Sequence, residues 1–232
     1  MTASLGRRVV AEFTGTGFLV ATVIGSGIMG ERLAGGNVAL ALLANSLATG
    51  AALVALILAF GAVSGAHFNP AVTLLQSIQR ELPWKVAAWY VIAQCSGGVC
   101  GAVMAHVMFG LRVVSLASHA RSGWAQAFSE FLATSGLLGV IWGCARQRSE
   151  MVAFAVGAYI TAAYWFTSST SFANPAVTIA RSLSDTFAGI RPRDVPLFVA
   201  AQLCAVVVSA FLWPWLFPKE GIAKAAQDSL ES

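Results

Sequence analysis

The chain has 232 residues, 57% of them hydrophobic and only 10% charged, with a mean hydropathy of +0.74 and a formal net charge of +4. This composition excludes an ordinary soluble domain and places the chain among polytopic membrane proteins. The modest positive charge gives no basis for a nucleic-acid partner.

A helix needs roughly 20 apolar residues to cross a hydrocarbon core about 30 Å thick. Six stretches qualify in chain order: Val9–Ile28, Val38–Gly61, Trp84–Gly110, Ala125–Ala145, Met151–Thr167 and Val195–Phe217. Arg7 and Arg8 precede the first stretch, as they would in a signal peptide. That stretch is long, contains Glu12 and lacks a small-x-small cleavage site, so it reads as a retained span. The connections are short, and residues 1–232 read as one transmembrane domain with a polar tail at 219–232. With both termini inside, Arg7, Arg8, Arg80, Lys85, Arg146, Arg148, Lys219 and Lys224 lie on the inner side. Arg32, Arg112, Arg121, Arg181, Arg191 and Arg193 then lie outside, a weak bias that supports cytoplasmic termini. Cys95, Cys100, Cys144 and Cys204 all fall inside spans with no metal-ligand spacing, so they read as packing residues. No metal site or cofactor is expected.

The most informative feature is a repeat. Asn69-Pro70-Ala71-Val72-Thr73 recurs as Asn174-Pro175-Ala176-Val177-Thr178. Asn is a strong N-cap, and Pro suits the first helical position, where its missing N–H costs nothing. Each pentapeptide therefore starts a new helix just after a long hydrophobic segment. The repeat extends further: Ala11-Glu12-Phe13 resembles Ser129-Glu130-Phe131, and Tyr90 to Gln94 resembles Phe198 to Gln202. Each half, approximately 1–110 and 120–218, reads as span, span, Asn-Pro helix, span. An odd number of spans makes the second half enter from the opposite side, which is an inverted-topology repeat. Paired interruptions in such a repeat mark a transport site.

Pro70 to Gln79 and Pro175 to Ser184 are each ten residues, about 15 Å of helix and half the bilayer core. Two such half-helices entering from opposite faces would meet tip to tip as a broken seventh span. The non-helical segments leading in, Ser64 to Phe68 and Ser168 to Ala173, must line a lumen or lie inside protein. Gly61 and Gly65 suit the close approach of such a loop. Each Asn, once its oxygen caps the helix, keeps two N–H donors for the lumen. Both positive helix ends converge there, which welcomes oxygen lone pairs and repels cations.

Two Asn-Pro-Ala half-helices in a six-span inverted repeat resemble the aquaporin, or major intrinsic protein, family over nearly the whole chain. Ser64-Gly65-Ala66-His67-Phe68-Asn69-Pro70-Ala71-Val72-Thr73 is similar to its first signature, and Glu12 and Glu130 to its buried glutamates. The resemblance implies an all-α channel with six spans and two re-entrant half-helices, Asn69 and Asn174 at the pore centre, and a homotetramer with one pore per subunit. It also implies water and small neutral solutes as permeants. Where most of the family has an arginine after the second Asn-Pro-Ala, this chain has Val177. Family spacing then puts Thr49, Ala162 and Ser171 with Val177 at the constriction, a small and uncharged set. Val177 resembles an arsenic-associated bacterial subgroup, whose solute is neutral arsenous acid and whose setting would be a bacterial inner membrane. Arg181, one helical turn on, either replaces the missing arginine in part or snorkels to the outer vestibule; snorkelling is the expectation.

Glu12 and Glu130 lie inside spans, where an ionisable group is by default a functional site. Their matched placement in the two halves favours the alternative, that each carboxylate holds a re-entrant loop. His67, two residues before Asn69, is expected to line the inner pore mouth. An ion-coupled transporter of a small neutral solute also uses inverted repeats and broken helices, but coupling needs an ion-coordinating group at mid-membrane. An enzyme is not expected, because no zinc-ligand cluster, Ser/His/Asp set or phosphate loop occurs.

Overall fold

The computed structural model describes residues 3–218, so the expected polar tail lies outside the described residues. Among the described residues, eight α-helices follow one another: α1 (Leu5–Leu33), α2 (Val38–Ser64), α3 (Pro70–Ile78), α4 (Trp84–Met108), α5 (Trp124–Gln147), α6 (Val152–Phe166), α7 (Pro175–Arg181) and α8 (Val195–Leu216). Short 3-10 turns at Ser149–Met151 and Pro192–Asp194 lead into α6 and α8. The long helices start and stop within a few residues of the hydrophobic stretches. Five of them, α1, α2, α4, α5 and α8, are long and apolar enough to cross a membrane. The sixth, α6, has 15 residues and reaches about 28 Å only with its leading turn.

α1 extends beyond its apolar stretch because its charged ends have partners. The Arg8 Nε donates to the Tyr90 hydroxyl at 2.8 Å, and the Arg32 guanidinium lies over the Phe109 ring. α3 and α7 begin as expected: the Asn69 Oδ1 accepts from the Ala71 N–H at 2.9 Å, and the Asn174 Oδ1 from the Ala176 N–H at 3.0 Å. α7 is shorter than the sequence suggests. Ser182, Leu183 and Ser184 each donate to the carbonyl three residues earlier, and this tighter winding ends the helix at Arg181.

Within the first half, α1 and α4 approach through glycine. A Cβ on Gly97 of α4 would lie 2.2 Å from the Phe13 carbonyl of α1, and one on Gly101 2.3 Å from the Gly17 carbonyl. Between halves, α2 and α6 cross at Gly50 and Gly157, where a Cβ on Gly157 would lie 2.6 Å from the Gly50 carbonyl. Backbones at this range gain dispersion contact that lipid tails cannot match. Gly65, in the left-handed region at φ +88°, terminates α2. Gly61 does not serve the loop as expected: it faces open space within α2.

The two loops feeding α3 and α7 have unusual backbones. Ala66 and Phe68 both have φ +49°, as do Ser171 and Ala173. A non-glycine residue in this region costs about 1–3 kcal/mol and persists only when its surroundings hold it. The two buried glutamates do the holding. The Glu12 carboxylate accepts from the Ser64 hydroxyl at 2.6 Å, the His67 and Phe68 N–H groups at 3.0 and 2.8 Å, and the Gln94 amide at 2.7 Å. The Glu130 carboxylate accepts from the Phe172 and Ala173 N–H groups at 2.8 and 2.9 Å, and from the Gln202 amide at 2.7 Å. Each glutamine amide also donates to a half-helix threonine, Thr73 or Thr178. Successive N–H groups in such a backbone form a concave anion nest, here filled by the protein's own carboxylate.

Glu130→Gln replaces an acceptor by an amide that faces three donors and leaves at least one buried N–H unmatched. It should lower unfolding stability in detergent by about 3 kcal/mol, whereas Glu150→Gln, at an exposed position, should be near neutral. Equal melting temperatures for the two variants would remove the nest from this account. Gly97→Ala should likewise reduce the yield of monodisperse protein, while Gly61→Ala should not.

Candidate functional site

The half-helices meet tip to tip. The Asn69 Nδ2 donates to the Ala173 carbonyl at 2.7 Å, and the Asn174 Nδ2 donates to the Phe68 carbonyl at 2.8 Å. Each asparagine thus caps its own helix and ties down the loop that precedes the other. The sequence reading left two donors per asparagine for the lumen; the structure leaves one, because the second stitches the halves together.

A cavity of about 330 Å³ runs past this junction, from Gln76 in α3 and Glu81 beyond it to Arg181 at the end of α7. Its walls differ in chemistry. Leu19, Val23, Leu53, Ile57, Leu137, Ile141, Val156 and Ile160 supply the apolar side. The two re-entrant loops, residues 65–69 and 171–174, supply the polar side. His67 lines the cavity on the α3 side, its Nδ1 3.0 Å from the Thr73 hydroxyl and its ring edge-on to Tyr90. Glu12 and Glu130 are fully buried and are not among the lining residues.

On the α7 side, Thr49, Ser171 and Val177 line the cavity as expected. Ala162 does not. It is exposed on the far side of α6, and the lining residue from that helix is Tyr164. Two positions on a helix are about 200° of rotation, so a two-residue error in spacing exchanges the pore for the opposite face. The Tyr164 hydroxyl lies 3.2 Å from the Thr49 hydroxyl. The set is therefore neither uniformly small nor half apolar. Three hydroxyl-bearing residues, Thr49, Tyr164 and Ser171, line the cavity together with Val177, and the Ser171 hydroxyl is buried without a protein partner among the described residues.

Arg181 also departs from expectation. It does not snorkel outward but is 2% exposed and lines the cavity. Helical side chains lean toward the helix N-terminus, so a residue one turn beyond Val177 returns toward the constriction. Its guanidinium carbon sits 3.4 Å from the Phe172 ring centroid, and its Nε donates to the Ala188 carbonyl. Among the described residues, no acceptor meets its Nη groups and no carboxylate pairs with it.

A second cation, Arg121, flanks the same ring at 5.1 Å. It comes from the segment between α4 and α5, which no motif singles out in the sequence. The Arg121 side chain donates to the Gly189 and Ser169 carbonyls and the Thr170 hydroxyl, which anchors the α7 loop. Burial lowers its pKa to about 10, so it stays charged at neutral pH. Burial, reinforced by Arg121 and Arg181, also lowers His119, leaving the imidazole neutral at pH 7. Asp185 is held below the usual carboxylate range by hydrogen bonds from the Ser118 N–H and hydroxyl.

Comparison with known proteins fits this geometry. The family described as Major intrinsic protein matches residues 1–164. The chain is 51% identical over 212 residues to Aquaglyceroporin AqpS of Rhizobium meliloti, covering 91% of each chain. It is 28% identical to Aquaporin NIP2-3 of Zea mays over 97% of this chain and 74% of that one. The X-ray structure of the aquaglyceroporin from Plasmodium falciparum superposes with a TM-score of 0.70 at 21% identity, covering 97% and 99% of the two chains. With its paired Asn-Pro-Ala half-helices, its all-α fold and this level of identity, the chain belongs to the major intrinsic protein family.

Proposed function

We propose that this integral membrane protein is a passive channel for water and small uncharged polyhydroxy solutes, glycerol above all, and that it excludes protons and ions. The observation that carries the reading is a cavity passing the two stitched half-helix tips, lined both by aliphatic side chains and by the re-entrant loops. A solute there exchanges hydration for hydroxyl and amide contacts on one side while its carbon atoms meet the other. No ion-coordinating carboxylate lies between the asparagines and Arg181 among the described lining residues. The Rhizobium relative is an aquaglyceroporin, which supports the same solutes.

In this proposal Asn69 and Asn174 form the pore centre, His67 lines the inner mouth, and Thr49, Tyr164, Ser171 and Val177 form the constriction with Arg181 beside them. Glu12 and Glu130 support the loops. The channel is one domain built from halves near 1–110 and 120–218. It sits in a bacterial inner membrane with cytoplasmic termini and assembles as a homotetramer. Val177 offers no hydrogen bond where an arginine would offer a fork, which leaves room for compact neutral metalloid hydroxides such as arsenous acid.

Stopped-flow swelling of proteoliposomes under a glycerol gradient, with no ion gradient, tests the channel. Swelling that needs an imposed proton or sodium gradient would instead identify a coupled transporter. Tyr164→Ala should raise permeability to polyols longer than glycerol several-fold while changing water little. Val177→Arg adds a guanidinium one turn from Arg181 and should lower glycerol and arsenous acid flux several-fold more than water flux. Equal losses for all solutes in the folded protein would show that position 177 does not select by size.

A further inference from the structure

Arg181 is the largest of the fully buried side chains, and its charge is not balanced. A buried guanidinium without a counter-charge is costly, and in a membrane such a group marks a ligand or pathway. One of its five N–H donors is used, on the Ala188 carbonyl. Within electrostatic range are Arg121, Tyr164 and Glu130. Arg121 adds a second positive charge. The Glu130 oxygens are occupied by Phe172, Ala173 and Gln202. Asp194 accepts from the Arg121 backbone N–H and is paired with Arg191, so among the described residues no carboxylate is left to pair with the Arg181 guanidinium. Ser171, 2% exposed, lines the same cavity, and its hydroxyl has no partner among the described residues. It adjoins Phe172, the ring on which Arg181 stacks.

We propose that the Nη edge of Arg181 and the Ser171 hydroxyl form a binding site for a small planar monovalent oxyanion, such as nitrate or a short carboxylate, which occludes the pore when bound. The chemistry is specific. A guanidinium edge presents parallel N–H donors that match two oxygens of a planar anion, and such charge-assisted pairs are the strong ones. Stacking on Phe172 fixes the guanidinium plane, so little freedom is lost on binding. A spherical anion satisfies the charge but not the fork. A divalent anion overcompensates it in a site lined by Val177. The inference rests on the channel reading only for occlusion; binding itself does not depend on flux.

Two measurements separate the parts. First, the purified full-length protein in detergent is melted in millimolar sodium nitrate and in sodium chloride at equal ionic strength. Ligand bound to the folded state alone raises the melting temperature with concentration, and nitrate should do so where chloride does not. Arg181→Lys keeps the charge and loses the fork, and should raise the nitrate concentration needed for a given shift about tenfold. Ser171→Ala should raise it several-fold. If Arg181→Lys fails to fold, Ser171→Ala carries the test. No nitrate advantage over chloride in the wild-type protein, or an unchanged advantage in the folded variants, overturns the site. Second, glycerol-driven swelling is measured across the same nitrate titration. Flux that falls as nitrate binds supports occlusion. Full flux at nitrate saturation overturns occlusion while leaving the channel reading intact, and a wild-type protein without glycerol flux removes both.

Discussion

Everything at the pore depends on satisfying non-helical backbone inside a membrane. Neither lipid nor the apolar core can hydrogen-bond the loops before α3 and α7. Glu12 and Glu130 meet that demand from within α1 and α5. Each carboxylate receives two consecutive loop N–H groups and a glutamine amide. Left-handed Ala66, Phe68, Ser171 and Ala173 survive because these bonds hold them. With the N–H groups turned toward the carboxylates, the loops become the polar wall of the cavity. The ionisable groups in the spans are thus structural, and the reciprocal asparagine bonds then lock one loop to the other.

The symmetry of this scaffold makes its breaks informative. His67 and Phe172 occupy matching positions, each giving its N–H to the glutamate of its half. On the α3 side the ring is an imidazole beside Thr73 and Tyr90. On the α7 side it is a phenyl ring flanked by Arg121 and Arg181. The two mouths consequently differ in field while sharing a backbone. The first carries Glu81 paired with Arg146 at 3.4 Å. The second carries two guanidiniums that no carboxylate meets among the described residues, Asp194 being bonded to the Arg121 backbone N–H and to Arg191. The chemical difference between the mouths falls where the repeat is least repeated, at the residues around His67 and Phe172.

The interior beyond the pore follows a simpler rule. Aromatic residues at span ends face outward where the interface lies, with Trp84, Trp124 and Trp215 exposed at 59%, 86% and 77%. Trp213, which sequence position alone assigns to the same belt, turns inward and donates to the Ser135 carbonyl at 3.2 Å. Its ring fills the space left by Gly139. Cys100 and Cys204 are exposed on the helix surface rather than packed inside.

By itself the sequence determined the helices, the half-helix starts and the role of the paired glutamates. Those features are local or repeated: hydrophobic length sets a span, Asn-Pro sets a start, and a motif written twice marks matched environments. The tertiary structure alone decided which side chains reach the lumen. Ala162 and Tyr164 lie two residues apart on one apolar helix, and nothing in local composition says which faces inward. Arg181 reads as a charge near a helix end, where outward snorkelling is usual. The early end of α7, the lean of its side chains and the Phe172 ring turn it inward instead. The second donor of each asparagine is spent on a carbonyl more than a hundred positions away in sequence. Such assignments depend on rotation about helix axes and on distant partners, and these exist only once the bundle has packed.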